Sequence, residues 1–316
     1  MARYVARKLA HTVAVLLLAS LAVSGMLDLA PGDPAYAVLG DNATPEQVEK
    51  VHEQLGLDRP FLTRYVDWLD DVVTGDFGTS FKTGQDVTGL IVDALPVTAE
   101  IVLLTLLIAM LVAVPLGIAC AQNAGGRIDR IVGASSSVLV AMPPFISVPL
   151  LAFAFVLQAQ LFPATGWVDL AENPLENLHH IVLPTIALAL YELPVFVAGL
   201  RTEMVSTLQQ DFILNAKSKG LSRRAVLYRH ALRPSSFSIV TLGGISLGRL
   251  IGGAVIVEIL FVLPGIGSLS VNSINNKDIP VVQGVVMFVA ITYVLVNTLI
   301  DILYGVLDPR VKAGAG

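Results

Sequence analysis

Six apolar stretches recur along this chain of 316 residues, each near or above the ~20 residues that a helix needs to cross the hydrocarbon core of a bilayer. They run from about Leu9 to Leu27, Thr98 to Ala121, Ile131 to Phe162, Ile181 to Leu200, Phe237 to Val262 and Ile279 to Leu307. Backbone polar groups have no water to bond in lipid, so such stretches are expected to be helices and the chain an all-α, polytopic membrane protein of six spans. Composition agrees, with 54% of residues hydrophobic and 14% charged, a balance that excludes an ordinary soluble core.

Charge sorts the connections by side. The formal net charge of −5 averages over regions of opposite sign. Between Asp28 and Val97 stand thirteen acids and four Lys/Arg, which places this segment outside the cytoplasm, and Pro163 to His180 carries Asp169, Glu172 and Glu176 with no Lys or Arg. The Gly125 to Arg130 turn, the stretch Arg201 to Pro234, and Arg310 with Lys312 after the last span are basic and belong inside. Both termini are therefore expected in the cytoplasm, with the protein in the cytoplasmic (inner) membrane. Arg3, Arg7 and Lys8 precede the first apolar stretch, which reads as a signal peptide or an uncleaved first span; its length and the five spans after it favour the anchor. The organisation is then a tail and first span over 1–28, an extracytoplasmic helical segment over 29–97, a membrane core over 98–309 containing the cytoplasmic segment 201–234, and a cytoplasmic tail over 310–316.

The outer segment has helix signals of its own. Thr44-Pro45-Glu46-Gln47 reads as a capping box opening a helix that Gly56 ends, Phe61 to Val73 as a second amphipathic helix, and Asp86 to Ala94 as a third. Within the third span, Pro143, Pro144 and Pro149 predict a kinked or broken helix, since proline removes a donor and clashes with the preceding turn. A broken helix in a membrane lines a cavity or packs on protein, so these prolines are either part of a translocation path or plain architecture. Glu192, Arg249, Glu258 and Asp301 fall within spans, where insertion of such groups at the bilayer centre costs at least ~2.5 kcal/mol for the Asp and Arg types. They line a path or form interhelical salt bridges. Arg249 and Glu258 point to different sides of one helix and are not expected to pair with each other.

Motifs for catalysis fail on context. Gly244-Ile245-Ser246-Leu247-Gly248 matches the nucleophile pattern G-x-S-x-G, yet it lies inside an apolar run where small residues permit close helix packing. His179-His180 has no further ligand nearby for zinc. A phosphate-binding G-x-x-x-x-G-K-[ST], a dinucleotide G-x-G-x-x-G after a strand, and H-E-x-x-H are all missing from the sequence, so no catalytic, cofactor-binding or metal site is expected on this chain. Cys120 is the single cysteine and reads as a small packing residue.

The basic stretch Arg201 to Pro234 carries seven Lys/Arg against two acids. Thr207 to Lys219 reads as one helix stopped at Gly220, and Ser222 as the cap of a second, closed by Pro234. A DNA-reading helix-turn-helix tethered to spans at both ends could not enter a major groove, so no nucleic-acid partner is expected. The positive-inside rule explains the charge but not Gly220 and Ser222, nor Phe212, Ile213, Val226 and Leu227 on helices outside the bilayer. A docking surface for a soluble partner explains both.

These residues resemble the coupling loop of ABC importer permeases. The wider family reads Glu-Ala-Ala, three residues, then Gly; here Leu214, Asn215, Ala216 and Gly220 stand there, so the contact expected of that Glu is not carried over. Asp211-Phe212-Ile213-Leu214-Asn215-Ala216-Lys217-Ser218-Lys219-Gly220-Leu221 and Arg229-His230-Ala231-Leu232-Arg233 are similar to the peptide-importer version of this loop. Leu29-Ala30-Pro31-Gly32-Asp33-Pro34, Gln54 to Pro60, Gly75-Asp76-Phe77-Gly78, Leu263-Pro264-Gly265-Ile266-Gly267, Val281-Val282-Gln283-Gly284 and Leu307-Asp308-Pro309-Arg310 resemble the B-type subunit of dipeptide, oligopeptide and nickel importers.

The resemblance implies the importer-type permease fold and a transport subunit rather than an enzyme. It implies as partners a homologous second permease, two ATP-binding subunits that hold ATP and Mg, an extracytoplasmic solute-binding protein and the lipid bilayer. The ATPase contact would involve Asp211, Phe212, Ile213, Ala216, Lys217, Lys219, Gly220, Arg223, Arg224 and His230, with Phe212, Ile213 and Ala216 as its apolar part. The outer helices from Thr44 to Val73 would cover the translocation mouth and meet the binding protein. Di- or oligopeptides are the expected solutes; nickel chelates, glutathione and opines remain open, as does a membrane scaffold or sensor that does not transport, and, more remotely, an intramembrane hydrolase.

Overall fold

The structure, a computed structural model, describes residues 2–29, 34–39 and 44–307. Asp301, the motifs Leu29 to Pro34 and Leu307 to Arg310, and the tail 310–316 lie outside the residues whose side chains are described. Among the described residues the secondary structure is helical, with one isolated antiparallel bridge between Thr79 and Asp86. The helices are α1 (Ala2–Leu29), α2 (Pro34–Leu39), α3 (Pro45–Leu55), α4 (Phe61–Thr74), α5 (Val87–Gln122), α6 (Arg127–Ala141), α7 (Pro144–Ala152), α8 (Pro174–Leu208), α9 (Asp211–Ser218), α10 (Arg223–Ala225), α11 (Leu232–Leu260), α12 (Ile266–Asn275) and α13 (Ile279–Leu307).

Four helical runs are long and apolar enough to cross a membrane as single rods: α5, α8, Arg223–Leu260 and Ile279–Ile300. A fifth crossing is a bent pair, α6 with the run Pro144–Gln158, turned by 100°. Of the six expected spans this leaves the first, where the described apolar part of α1, Thr12–Gly25, is shorter than a span. The bend falls at Pro143 and Pro144: Pro143 is extended and Pro144 takes the first helical position of α7, where its missing donor costs nothing. Proline does not always break a helix here. The separate helix expected over Asp86 to Ala94 and the span expected from Thr98 are one element, α5, which passes through Pro96. The ~3 kcal/mol cost of an internal proline is offset by burial, since Val87, Ile91, Ala94 and Val97 are all buried.

The chain folds as two compact units, one of the residues up to Pro96 with Pro264–Leu299, the other of Val97–Leu263 with the residues from Ile300 on. In the first, Val72, Phe77, Val87, Ile91, Val281 and Val285 share a core. Two sequence motifs meet there: a Cβ on Gly284 would lie 2.6 Å from Val87 at the start of α5, closer than a side chain allows, and 3.1 Å from Phe77, so the helix carrying Val-Val-Gln-Gly also packs tightly on the Gly-Asp-Phe-Gly turn. Asp278 closes the same unit, accepting from Ser80 Oγ at 2.5 Å and from the Phe81 N–H at 3.1 Å. The connection after Leu263 is longer in structure than a plain loop, because α12 occupies most of it.

In the second unit α8 packs along α11, and the core runs through Val97, Ile101, Leu188, Phe196, Leu200, Ile213, Leu250 and Val257. Gly199 sets this approach, since a Cβ there would fall 2.3 Å from Leu242 on α11. A Cβ on Gly244 would fall 2.6 Å from Ile300 on α13. Gly244, in the G-x-S-x-G pattern, thus serves close packing.

Candidate functional site

The basic segment is less detached from the membrane helices than its sequence implies. α8 runs on through Arg201 to Leu208, so the first turns of the segment are the end of a span. The single helix expected over Thr207 to Lys219 is interrupted: Gln209 caps α8, Gln210 is extended, and α9 starts afresh at Asp211. An acid in the first turn suits the positive end of the helix dipole. α9 stops where expected. Gly220 has φ +76, a left-handed conformation that a side chain would strain, and its N–H donates to the Lys217 carbonyl at 2.9 Å. Ser222 caps the next helix, its Oγ accepting from the Ala225 N–H at 3.3 Å.

Pro234 does not close that second helix. α10, a π-helical stretch Val226–Ala231 and α11 form one continuous run. The carbonyl four residues before Pro234 lies in the π-helical stretch, where backbone pairing is offset by one residue, and this lets the run continue past the ring.

Helical periodicity divides the expected docking residues. Asp211, Phe212, Lys217, Lys219, Gly220, Arg223 and Arg224 are exposed, His230 is half-buried, and Ile213 and Ala216 are buried. Ile213 and Ala216 were expected to give the apolar part of the ATPase contact; they sit three apart on the inner face of α9 and join the chain's own core with Val226 and Leu227. The apolar groups turned outward are Phe212 at 45%, Leu214 at 53%, Leu221 at 41% and Tyr228 at 57% exposure. Leu214, Leu221 and Tyr228 were not singled out from sequence, although the 3.6-residue period about a buried Ile213 marks Leu214 as outward.

Two side-chain contacts pin the segment at its base. Ser235 Oγ donates to Thr207 Oγ1 at 3.1 Å, buried, joining the chain just before α9 to the chain that returns from it. Arg201 forms a fork on Asp129, Nε to Oδ1 at 2.5 Å and Nη2 to Oδ2 at 2.7 Å, while the Gly125 N–H donates to Oδ2 at 2.8 Å. The short turn between α5 and α6 is thereby held to the end of α8. Beside this pair lies a cavity of about 830 Å³, lined by Cys120, Arg130, Ser136, Pro194 and Ala198 among others.

The charges within the spans form separate clusters. Glu192 on α8 is fully buried; its Oε2 accepts from Ser246 Oγ and from Arg249 Nη2, each at 2.6 Å. Glu258 is also fully buried and accepts from Thr98 Oγ1 at 2.7 Å. Arg249 thus pairs with Glu192, not with Glu258. Pro143 and Pro144 are half-buried at the bend. His179 Nε2 and His180 Nδ1 each bond a backbone carbonyl, those of Leu161 and Glu176.

Residues 113–313 match the family model described as the binding-protein-dependent transport system inner membrane component. The chain belongs to that family. It is a multi-pass inner-membrane transport subunit, one part of a multi-component importer that works with ATPase and binding-protein partners. A second model, for the N-terminal part of this membrane component, matches residues 1–102. A protein of Sinorhizobium fredii named as a probable peptide ABC transporter permease is 34% identical over 309 residues, covering 98% of this chain and 99% of that protein. The oligopeptide transport system permease protein AppB of Bacillus subtilis is 31% identical over 316 residues, 99% of this chain and 100% of its own. The dipeptide transport system permease protein DppB of Alkalihalophilus pseudofirmus is 30% identical, with 99% and 100% covered. These likenesses run from end to end, as does the B-type resemblance read from the motifs.

Proposed function

We propose that this permease imports di- or oligopeptides, forms half of the translocation path with a homologous second permease, and is driven by two ATP-binding subunits through residues 201–234. The observation that carries this reading is the construction of that segment. Its exposed side chains include the apolar Phe212, Leu214, Leu221 and Tyr228 beside the basic Lys217, Lys219, Arg223 and Arg224, the mix of apolar and charged groups that a protein-docking surface uses. Its inner face is fused to the membrane core through Ile213, Ala216, Val226 and Leu227. A push on such a unit reaches α8 and α11 instead of being absorbed in a loop, as a two-state transporter requires. The basic segment lies in the cytoplasm with both termini, and ATP and Mg are held by the partner subunits. The full-length relatives named for peptide, dipeptide and oligopeptide transport support the solute class.

The test is Gly220→Val in the complete transporter, reconstituted with binding protein and peptide. A β-branched residue at φ +76 disrupts the turn after α9 without touching the core. The complex should assemble, while ATP hydrolysis stimulated by loaded binding protein falls at least tenfold. Unchanged stimulation in the assembled variant refutes the coupling role.

A further inference from the structure

Helix α4 presents three faces of different character. Wound at about 100° per residue, Phe61, Tyr65, Trp68 and Val72 fall on one side and face the chain. Val72 is buried in the core of the first unit, Trp68 packs against that core, and Phe61 stacks on Tyr65 with ring centroids 6.2 Å apart. A second side carries Thr63, Asp67, Asp70, Asp71 and Thr74, all exposed, with Asp67 accepting from Arg59 Nη1 at 2.8 Å. The third side is aliphatic. Leu62, Val66, Leu69 and Val73 lie within about 60° of one another at that winding. Leu62 is 68% exposed, Val66 60% and Val73 78%, and Leu69 is half-buried. A surface helix of a water-soluble fold needs two faces, one apolar toward the core and one polar toward water. A second apolar face, uncovered by the chain, calls for a second apolar medium.

The depth of α4 supplies one. The Tyr65 hydroxyl and Ser20 Oγ are 2.9 Å apart, and Ser20 lies within the apolar part of α1, Thr12–Gly25. That part runs antiparallel beside the membrane-crossing run Ile279–Ile300: the Thr12 and Thr298 hydroxyls are 3.4 Å apart, and Gln283 Nε2 donates to the Val23 carbonyl at 3.2 Å. Gln283 is only ~6 Å of helix from the start of that run, and Ser20, further back along α1 than Val23, is deeper still. α4 therefore stands one tyrosine side chain away from a point inside the apolar layer, too close to lie clear of the membrane surface. Its acids and the Arg59–Asp67 pair need water, so it does not lie deeper either.

We propose that α4 is an interfacial helix, with Leu62, Val66, Leu69 and Val73 seated among the acyl chains of the leaflet at the C-terminal end of α1. Protein, lipid and water then each meet the side that suits them. The half-buried Phe61, Tyr65 and Trp68 include the two residue types, Tyr and Trp, enriched at membrane boundaries. The rival occupant is a soluble partner that docks and leaves. Such a partner would bare a row of aliphatic side chains to water in every cycle, whereas surfaces that associate reversibly are as a whole no more apolar than the rest of a protein's exterior. The lipid seat leaves the acidic side of α4, not the aliphatic one, for a partner in water.

The experiment uses the complete transporter reconstituted in phosphatidylcholine vesicles, with or without bromine on the acyl chains. A small fluorophore is attached at Leu62→Cys, Val66→Cys or Val73→Cys, and at Thr63→Cys or Asp71→Cys for the polar side; the native Cys120 is buried. All five positions are exposed, so none of the substitutions removes a core contact, and three labels on one side keep the result independent of any one of them. Brominated lipid should quench the three aliphatic-side labels at least twofold more than the polar-side labels. Iodide on both sides of the vesicle should give the reverse order. Equal quenching around the helix, or aliphatic-side labels quenched by iodide and not by brominated lipid, overturns the proposal. Protection of those labels from iodide only after loaded binding protein is added assigns the row to that partner and also overturns it.

Discussion

The basic segment 201–234 and the middle of the α8–α11 pair handle charge in opposite ways. On α9 the lysines and Asp211 point outward and Ile213 and Ala216 point in. On α8 and α11 it is Glu192, Ser246 and Glu258 that are buried, while Ile245 and Ile259 face outward. The cause is the medium on the far side. Water solvates an exposed lysine at no cost, so apolar groups take the core; lipid solvates nothing polar, so a carboxylate in a span finds its partner on a neighbouring helix. Arg249 belongs to neither pattern, being held by Glu192 while its side chain stays partly exposed.

Mutations can sharpen or break the contrast. The largest stability loss is expected for Ile213→Ala: the residue is 0% exposed, and truncation should cost about 2–4 kcal/mol, read as a lowered thermal midpoint of the detergent-solubilised complex. A loss near zero would mean that α9 is not fused to the core. Next is Glu192→Ala, which strips Arg249 and Ser246 of their acceptor. Roughly 2–3 kcal/mol is expected, less than for a wholly buried pair because Arg249 retains an exposed face; Glu192→Gln should lose distinctly less in the same assay. The smallest effect on stability is expected for Phe212→Ala, within about 0.5 kcal/mol, since the ring is 45% exposed. Its effect should appear instead as weaker binding of the ATPase subunits in pull-down. A large stability loss with unchanged binding would reverse the assignment of inner and outer faces.

Much of the basic segment was legible in advance because its signals are local. Gly220 and Ser222 act on backbone groups within four residues of themselves, and both were placed correctly. The proline signals were read less evenly. Pro143 and Pro144 stand together and break the third span, whereas Pro96 and Pro234 look the same in sequence and break nothing. A proline weakens a helix by a fixed amount; whether the helix yields depends on how much buried surface holds it on either side. Glu192, Arg249 and Glu258 were legible as charges needing partners, but not their partners, since Arg249 meets a residue 57 positions away and Glu258 one 160 away. The inward turn of Ile213 and Ala216 was missed because an apolar residue on a short helix of a basic segment fits a docking face and a core face equally well.

The sequence by itself determined the class of protein, the alternation of acidic and basic connections, the stops at Gly56 and Gly220, and the family. All of these follow from hydropathy, charge and backbone preferences that act within a few residues. Tertiary structure alone decided which face of α9 is free, that the chain entering and leaving α9 is pinned by Thr207 and Ser235, and that Arg249 is held by Glu192 while its side chain stays partly exposed. Such facts depend on which helices lie side by side, and the closeness of α8 to α11 rests on Gly199, which matters only once Leu242 of the neighbouring helix is there to fill its space.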